Sequence, residues 1–272
     1  MNHTKDPSRR RLGMPLPQIE EHQVHRLPRE MRRAQAQPFG SVSPPPSLPD
    51  ICELPDVRAT ARTVPLRGKY SGRARLNLPI PATNENALFI VESFSENSLA
   101  MVLAVRRDFC DLAVQVGPVP FVRADGRPAK HFIDILFTDT KGKRTAFLVK
   151  NRRRAGCQEF QDAASRIAAA AVPVYADTVQ IVTDEDLDRL EVLNASRYLF
   201  YRRFPDAEAD ARVHDTIKLL IAPVPIVQIM RMSGLGGRAY RSIFCAIFRG
   251  FLVRCSGGEI DMWTLVKAGE LQ

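Results

Sequence analysis

Short apolar runs separated by polar turns dominate the middle of the chain. Residues 114–122, 132–137 and 145–150 are rich in β-branched and aromatic side chains and predict strands. Between the last two, Lys141 and Gly142 supply a hairpin turn, so Asp134 and Lys150 are expected on neighbouring antiparallel strands. Upstream, residues 93–105 place Phe94, Leu99, Met101, Val102 and Val105 at mixed three-and-four spacing, the pattern of a helix. Residues 75–80 predict a short edge strand ended by Pro79 and Pro81. Downstream, residues 157–171 predict an alanine-rich helix and 174–182 a strand. Residues 184–197 predict a further helix capped by Thr183. The class is α/β: a mixed sheet flanked by helices.

From about residue 206 the pattern changes. Helices are expected over 213–221, 225–232 and 238–251, the last strongly apolar, with a sharp turn at 234–237 between the second and third. Residues 252–255 then turn at Gly257 and Gly258 into 259–266, a hairpin. Three helices followed by a two-stranded wing is a winged-helix-like pattern. Such a module reads DNA with its third helix or docks on protein. Only Arg238, Arg241 and Arg249 are basic on that helix, which favours docking. Residues 1–69 hold 11 of the 20 prolines and show no helical or strand period, so they are expected to form a disordered, basic tail. The tail reads either as a solvated segment or as an arm that adds phosphate contacts.

Candidate chemistry sits on the central elements. A carboxylate inside an apolar strand, as at Asp134, costs free energy unless a lysine or a cation pairs with it. Glu96 lies three residues after Ser93, the spacing of a capping box, so it reads either as a cap or as a second carboxylate for the same centre. A helix carboxylate, a strand Asp and a lysine closing the next strand form the skeleton of a metal-dependent nuclease. Hard cations such as Mg²⁺ take oxygen ligands and use few protein carboxylates. Lys150 to Arg154 carries four cations, a solvated loop or a phosphate clamp through Arg152, Arg153 and Arg154. Arg73 and Arg75 lead into the first strand, as linker or as a DNA approach.

Charge supports an anionic partner. The 272 residues carry a formal +9 with a pI near 9.6, and nucleic acid is the commonest partner for that balance. Five scattered cysteines without CxxC spacing exclude a disulfide or zinc framework. No apolar run reaches the length of a membrane helix, and no signal-peptide apolar region opens the chain, so a cytoplasmic protein with no membrane partner is expected.

The order of these pieces resembles the N-terminal domain of TnsA, an endonuclease of multi-subunit cut-and-paste transposons with the PD-(D/E)xK, restriction-endonuclease-like fold. The matching segments are residues 92–99, 114–118, 125–127, 132–134 and 147–150, within a likeness covering about 70–205. The resemblance implies catalytic Glu96, Asp134 and Lys150, with Glu96 and Asp134 ligating Mg²⁺. It also implies a winged-helix-like C-terminal domain over 206–272. It further implies double-stranded DNA as substrate, with a transposase subunit and an AAA+ ATPase as partners. One position departs: the family carries Gln or Glu two residues before the lysine, and this chain has Leu148. Glu159 or Gln158, on the following helix, is the candidate substitute ligand. The alternative implied by Leu148 is a degenerate relative that binds DNA or a partner without cleaving.

Overall fold

The computed structural model describes residues 57–61, 72–172 and 174–269. Residues 53–272 form one compact unit. The expected tail lies outside the described residues except at 57–61, and there the expectation of disorder fails. Val57 bridges to Leu88, and Arg58 makes a bidentate pair with Asp111 at 2.6 and 2.7 Å while its guanidinium lies over Phe89. This short extended segment is tied down by ion pairing and ring contact, neither of which needs a hydrophobic period.

The central sheet has the order β3-β4-β5-β6, built from β3 (Phe109–Val122), β4 (Pro128–Asp139), β5 (Arg144–Val149) and β6 (Thr178–Val182). β3, β4 and β5 run antiparallel, and β6 joins parallel to β5. The expected hairpin is present. Gly142 takes φ 81° in its turn, and Asp139 accepts from the amides of Lys141 and Lys143. A separate two-stranded sheet, β1 (Ala74–Ile80) with β2 (Glu85–Val91), lies over one face. The sequence did not predict β2. Pro79 does not end β1 but sits within it, as an edge strand with a single partner allows.

Helix α1 (Phe94–Ala104) covers the same face as β1 and β2. Leu99, Ala100 and Leu103 bury themselves against Phe89, Val91, Leu112, Ile135, Phe147 and Val149. The opposite face carries Leu148, packed under α3 (Gln158–Ala171) against Phe160, Ala164 and Ile167. Phe94 was expected in the apolar stripe of α1; it is 75% exposed instead, because it is the first residue of the helix and projects past the sheet.

Side chains alternate faces along a strand. Leu136 and Ala146 keep to the α3 side, and Ile135 and Phe147 to the α1 side. Ile133 also packs on the α3 side, so the alternation slips by one residue at Asp134. In the β3–β4 register Asp134 faces Gln115, which takes φ 53°, and β3 is irregular further along, between Val116 and Val119 across from Ile133 and His131. Gly117 there has φ 143°, and a Cβ would stand 2.9 Å from the Val119 nitrogen, so the bulge requires glycine. The slip places an acidic residue at the end of the β4–β5 ladder, which stops at Ile135 and Phe147.

Helix boundaries differ from expectation where several caps compete. The helix expected from 184 begins as α4 (Arg189–Tyr201), because Asp188 accepts from the amides of Leu190 and Glu191. Thr183 instead donates to Asp186 within a preceding turn. The helix expected from 213 begins as α5 (Ala207–Lys218), capped by Asp206. Then come β7 (Val224–Pro225), α6 (Ile226–Met232), α7 (Arg238–Arg249), β8 (Leu252–Arg254) and β9 (Leu265–Ala268). The expected pairing of the strand at 252 with the one that follows the glycine turn is present as β8 with β9, the second strand beginning only at Leu265, and β7 adds a third strand in the order β7-β9-β8. Their core of Val213, Ile217, Ile229, Ile243, Phe244 and Val266 takes in Tyr198 and Tyr201 from α4. No helix among the described residues is long and apolar enough to cross a membrane. Cys110, Cys157, Cys245 and Cys255 are free thiols.

Candidate active site

Glu96 is set by the start of α1. Ser93 accepts from the Glu96 amide at 3.1 Å, and its hydroxyl donates to Glu96 Oε1 at 2.9 Å. Glu96 Oε2 accepts from the Glu92 amide at 2.9 Å, completing a reciprocal capping box. The residue is only 5% exposed. Burial pushes its carboxyl above the ordinary value; the Glu92 amide opposes that, and the nearby charges of Asp134 and Glu92 add to it. Glu96 thus sits in the capping turn of α1, near enough to Asp134 to feel its charge.

Asp134 closes the gap at the end of the β4–β5 ladder. Its Oδ2 accepts from the Val149 amide at 2.8 Å and from Lys150 Nζ at 3.2 Å. Lys150 Nζ also donates to the Val149 carbonyl at 2.8 Å, which fixes the ammonium over the strand end. The Asp134 side chain is 10% exposed and that of Lys150 29%, so the pair opens to solvent on the lysine side. The compensation that a buried strand carboxylate needs is thus supplied by one lysine and one backbone amide.

Glu96, Asp134 and Lys150 come from three elements, and the fold brings them together. The two carboxylates offer oxygen ligands of the kind a hard cation such as Mg²⁺ takes, and the ammonium is a hydrogen-bond donor beside them. Among the described residues no group of three or more His, Cys, Asp or Glu side chains gathers at a metal-binding distance. Leu148 is fully buried under α3, and hydrocarbon fills the position where a third donor would stand. Glu159, exposed in the first turn of α3, lines the same cleft as Lys150 and Arg154. Gln158 is turned aside and donates to Asp162.

The predicted phosphate-contacting arginines divide. Arg152, Arg153 and Arg154 lie not on a loop but in one helical turn, α2 (Arg152–Ala155), capped by Asn151. Arg152 is engaged by Glu185, and its amide by Asp184, which removes it from the free cations. Arg153 and Arg154 are exposed beside Lys150 without an ion pair among the described residues. Arg73 precedes Ala74, which pairs with Val91, so it lies across from Glu92; its Nε and Nη1 have no hydrogen-bond partner among the described residues. Arg75 is exposed on β1. The three arginines of α7 are all tied to acids at or near α5: Arg238 to Asp206 at 2.6 Å, Arg241 to Asp210, and Arg249 to Asp210 at 3.7 Å. Sequence reasoning missed Arg123, Lys130 and Asp162 as members of the cleft beside Lys150. The charges flanking the turn at Asp125 and Gly126 were the available signal.

The chain is an α/β protein with a mixed four-stranded sheet flanked by helices, and Asp134 and Lys150 form an ion pair at the end of its β4–β5 ladder. No protein-family model matches the chain, and no curated protein matches it in sequence.

Proposed function

We propose that the chain is a TnsA-like, Mg²⁺-dependent endonuclease subunit that hydrolyses one DNA strand at a transposon end. The observation that carries this reading is the ion pair of the strand carboxylate Asp134 with Lys150 at the end of the β4–β5 ladder. In this reading the sheet with its flanking helices is restriction-endonuclease-like, and residues 206–272 are the winged-helix-like domain. Glu96 and Asp134 hold the cation, whose contribution is Lewis acidity. Lys150 donates to the attacking water and offsets charge on the scissile phosphate. The salt bridge to Asp134 keeps the ammonium in place between turnovers. The ion-paired arginines of α7 leave that helix poor in free base-edge donors, which favours docking on a transposase subunit or an AAA+ ATPase over base reading.

A supercoiled plasmid carrying a transposon end, incubated with Mg²⁺ or Mn²⁺ and with or without the transposase and ATPase, tests the reading. The parent nicks the plasmid, and Asp134→Asn falls to background. Nicking that survives in Asp134→Asn sinks the proposal. Leu148 favours a second reading, in which the chain binds DNA or a partner without cleaving. Retained DNA binding with no nicking under any of these conditions supports that reading instead.

A further inference from the structure

Beside Lys150 lies a cleft of about 710 Å³ between the tip of the β3–β4 hairpin and α3. The hairpin contributes Arg123 and Lys130, and α2 contributes Arg154. The hairpin tip is held rigidly: the Arg123 amide donates to the Arg127 carbonyl at 2.9 Å, and Lys130 is paired in register with Pro120. None of the three cations has an ion-pair partner among the described residues, and all are exposed. Three acids, Asp125, Glu159 and Asp162, share the cleft with these three cations and Lys150. Asp125 is held by the Arg127 amide at 3.0 Å and its guanidinium at 3.7 Å, and Asp162 accepts from Gln158 at 2.9 Å. Phe121 and Phe160 give the cleft an apolar wall.

We infer that this cleft binds the phosphate backbone of a nucleic-acid strand, with Arg123 and Lys130 of the hairpin facing Arg154 across it. The inference rests on the nucleic-acid reading of the proposed function and extends it to Arg123 and Lys130, two hairpin cations that the sequence reading did not single out. Three cations on two separate elements around one opening suit a chain of phosphates, because each contact adds without requiring base identity. The cleft leads directly to Lys150, so a strand held there arrives at the end of the sheet where Asp134 and Glu96 stand.

Fluorescence anisotropy of the full chain with a labelled duplex, and with a single strand of the same sequence, tests this over a salt series. The parent's log affinity falls linearly with log salt. Arg123→Ala with Lys130→Ala flattens that slope by about 0.9 per lost contact on duplex, or about 0.7 on the single strand. The pair Arg123→Lys with Lys130→Arg restores it. Loss on both probes or on one alone supports the cleft and says which form occupies it. The thermal midpoint of the double variant stays at the parent's value, as expected for exposed hairpin residues. Tight parent binding with an unchanged slope in the double variant overturns the cleft and leaves the nuclease reading standing. Absence of salt-dependent binding by the parent overturns both.

Discussion

At the scale of single residues, Glu96 carries a measurable conflict. Its carboxyl is buried as the cap of α1 and stands near the Asp134 charge, so its folded pKa lies above the ordinary value near 4.5. A raised pKa contributes stability below the unfolded value, and that contribution is lost as pH rises toward the folded value. In metal-free buffer Glu96→Gln should therefore gain on the parent as pH climbs above about 4.5, by at most about 1.4 kcal/mol per pH unit. The glutamine can still accept from the Glu92 amide and donate to Ser93, so the cap survives. Thermal melts across that range read the effect, and parallel curves for the two proteins would refute it. Added Mg²⁺ should raise the parent's midpoint more than the variant's, since a ligand that favours the folded state stabilises it.

At the scale of elements, α4 is the strut between the sheet and the C-terminal helices. Asn194 is fully buried; its Nδ2 donates to the Gly258 carbonyl at 2.8 Å, and its Oδ1 accepts from the Ile260 amide at 3.0 Å. Arg254 pairs with Glu191 at 2.8 Å and Arg197 with Glu259 at 2.7 Å on the same helix. Asn194→Ala strands two backbone groups and should cost roughly 2–5 kcal/mol in urea unfolding. A loss within about 0.5 kcal/mol, the usual range for surface changes, would show that the strut is not needed. The β4–β5 hairpin and the capping box were legible in the sequence, because both are local: a run, a turn, a run, and a Ser three residues before a Glu. β2 was not legible, because its first residues are polar and its pairing to β1 depends on the chain folding back. Asp188 displaced Thr183 as cap because the stretch 183–188 offers several acceptors, and spacing alone does not choose among them. The convergence of Asp134 with Lys150 followed from the hairpin. No pattern in β4 encodes the slip in alternation at Asp134, across from which Gln115 takes φ 53° in β3.

At the scale of the whole molecule, the two cores share α4. Leu199 packs against the core under α1, while Tyr198 stacks on Phe248 at 4.5 Å and Tyr201 meets Phe244 edge-on at 5.2 Å. Two tyrosines on the N-terminal side of the boundary expected at residue 206 thus pack against the C-terminal core. A fragment of residues 206–272 should melt without a cooperative transition, whereas residues 184–272, which keep α4, should melt cooperatively by circular dichroism. Equal, sharp midpoints for both fragments would refute the shared core. The consequence reaches into how such a chain can change by recombination. The C-terminal region is not a cassette that can be traded intact at the natural-looking break after Arg203 and Phe204; an exchange must carry α4 along with it, or bring in a helix that presents two tyrosines to the new partner and an asparagine to its loop.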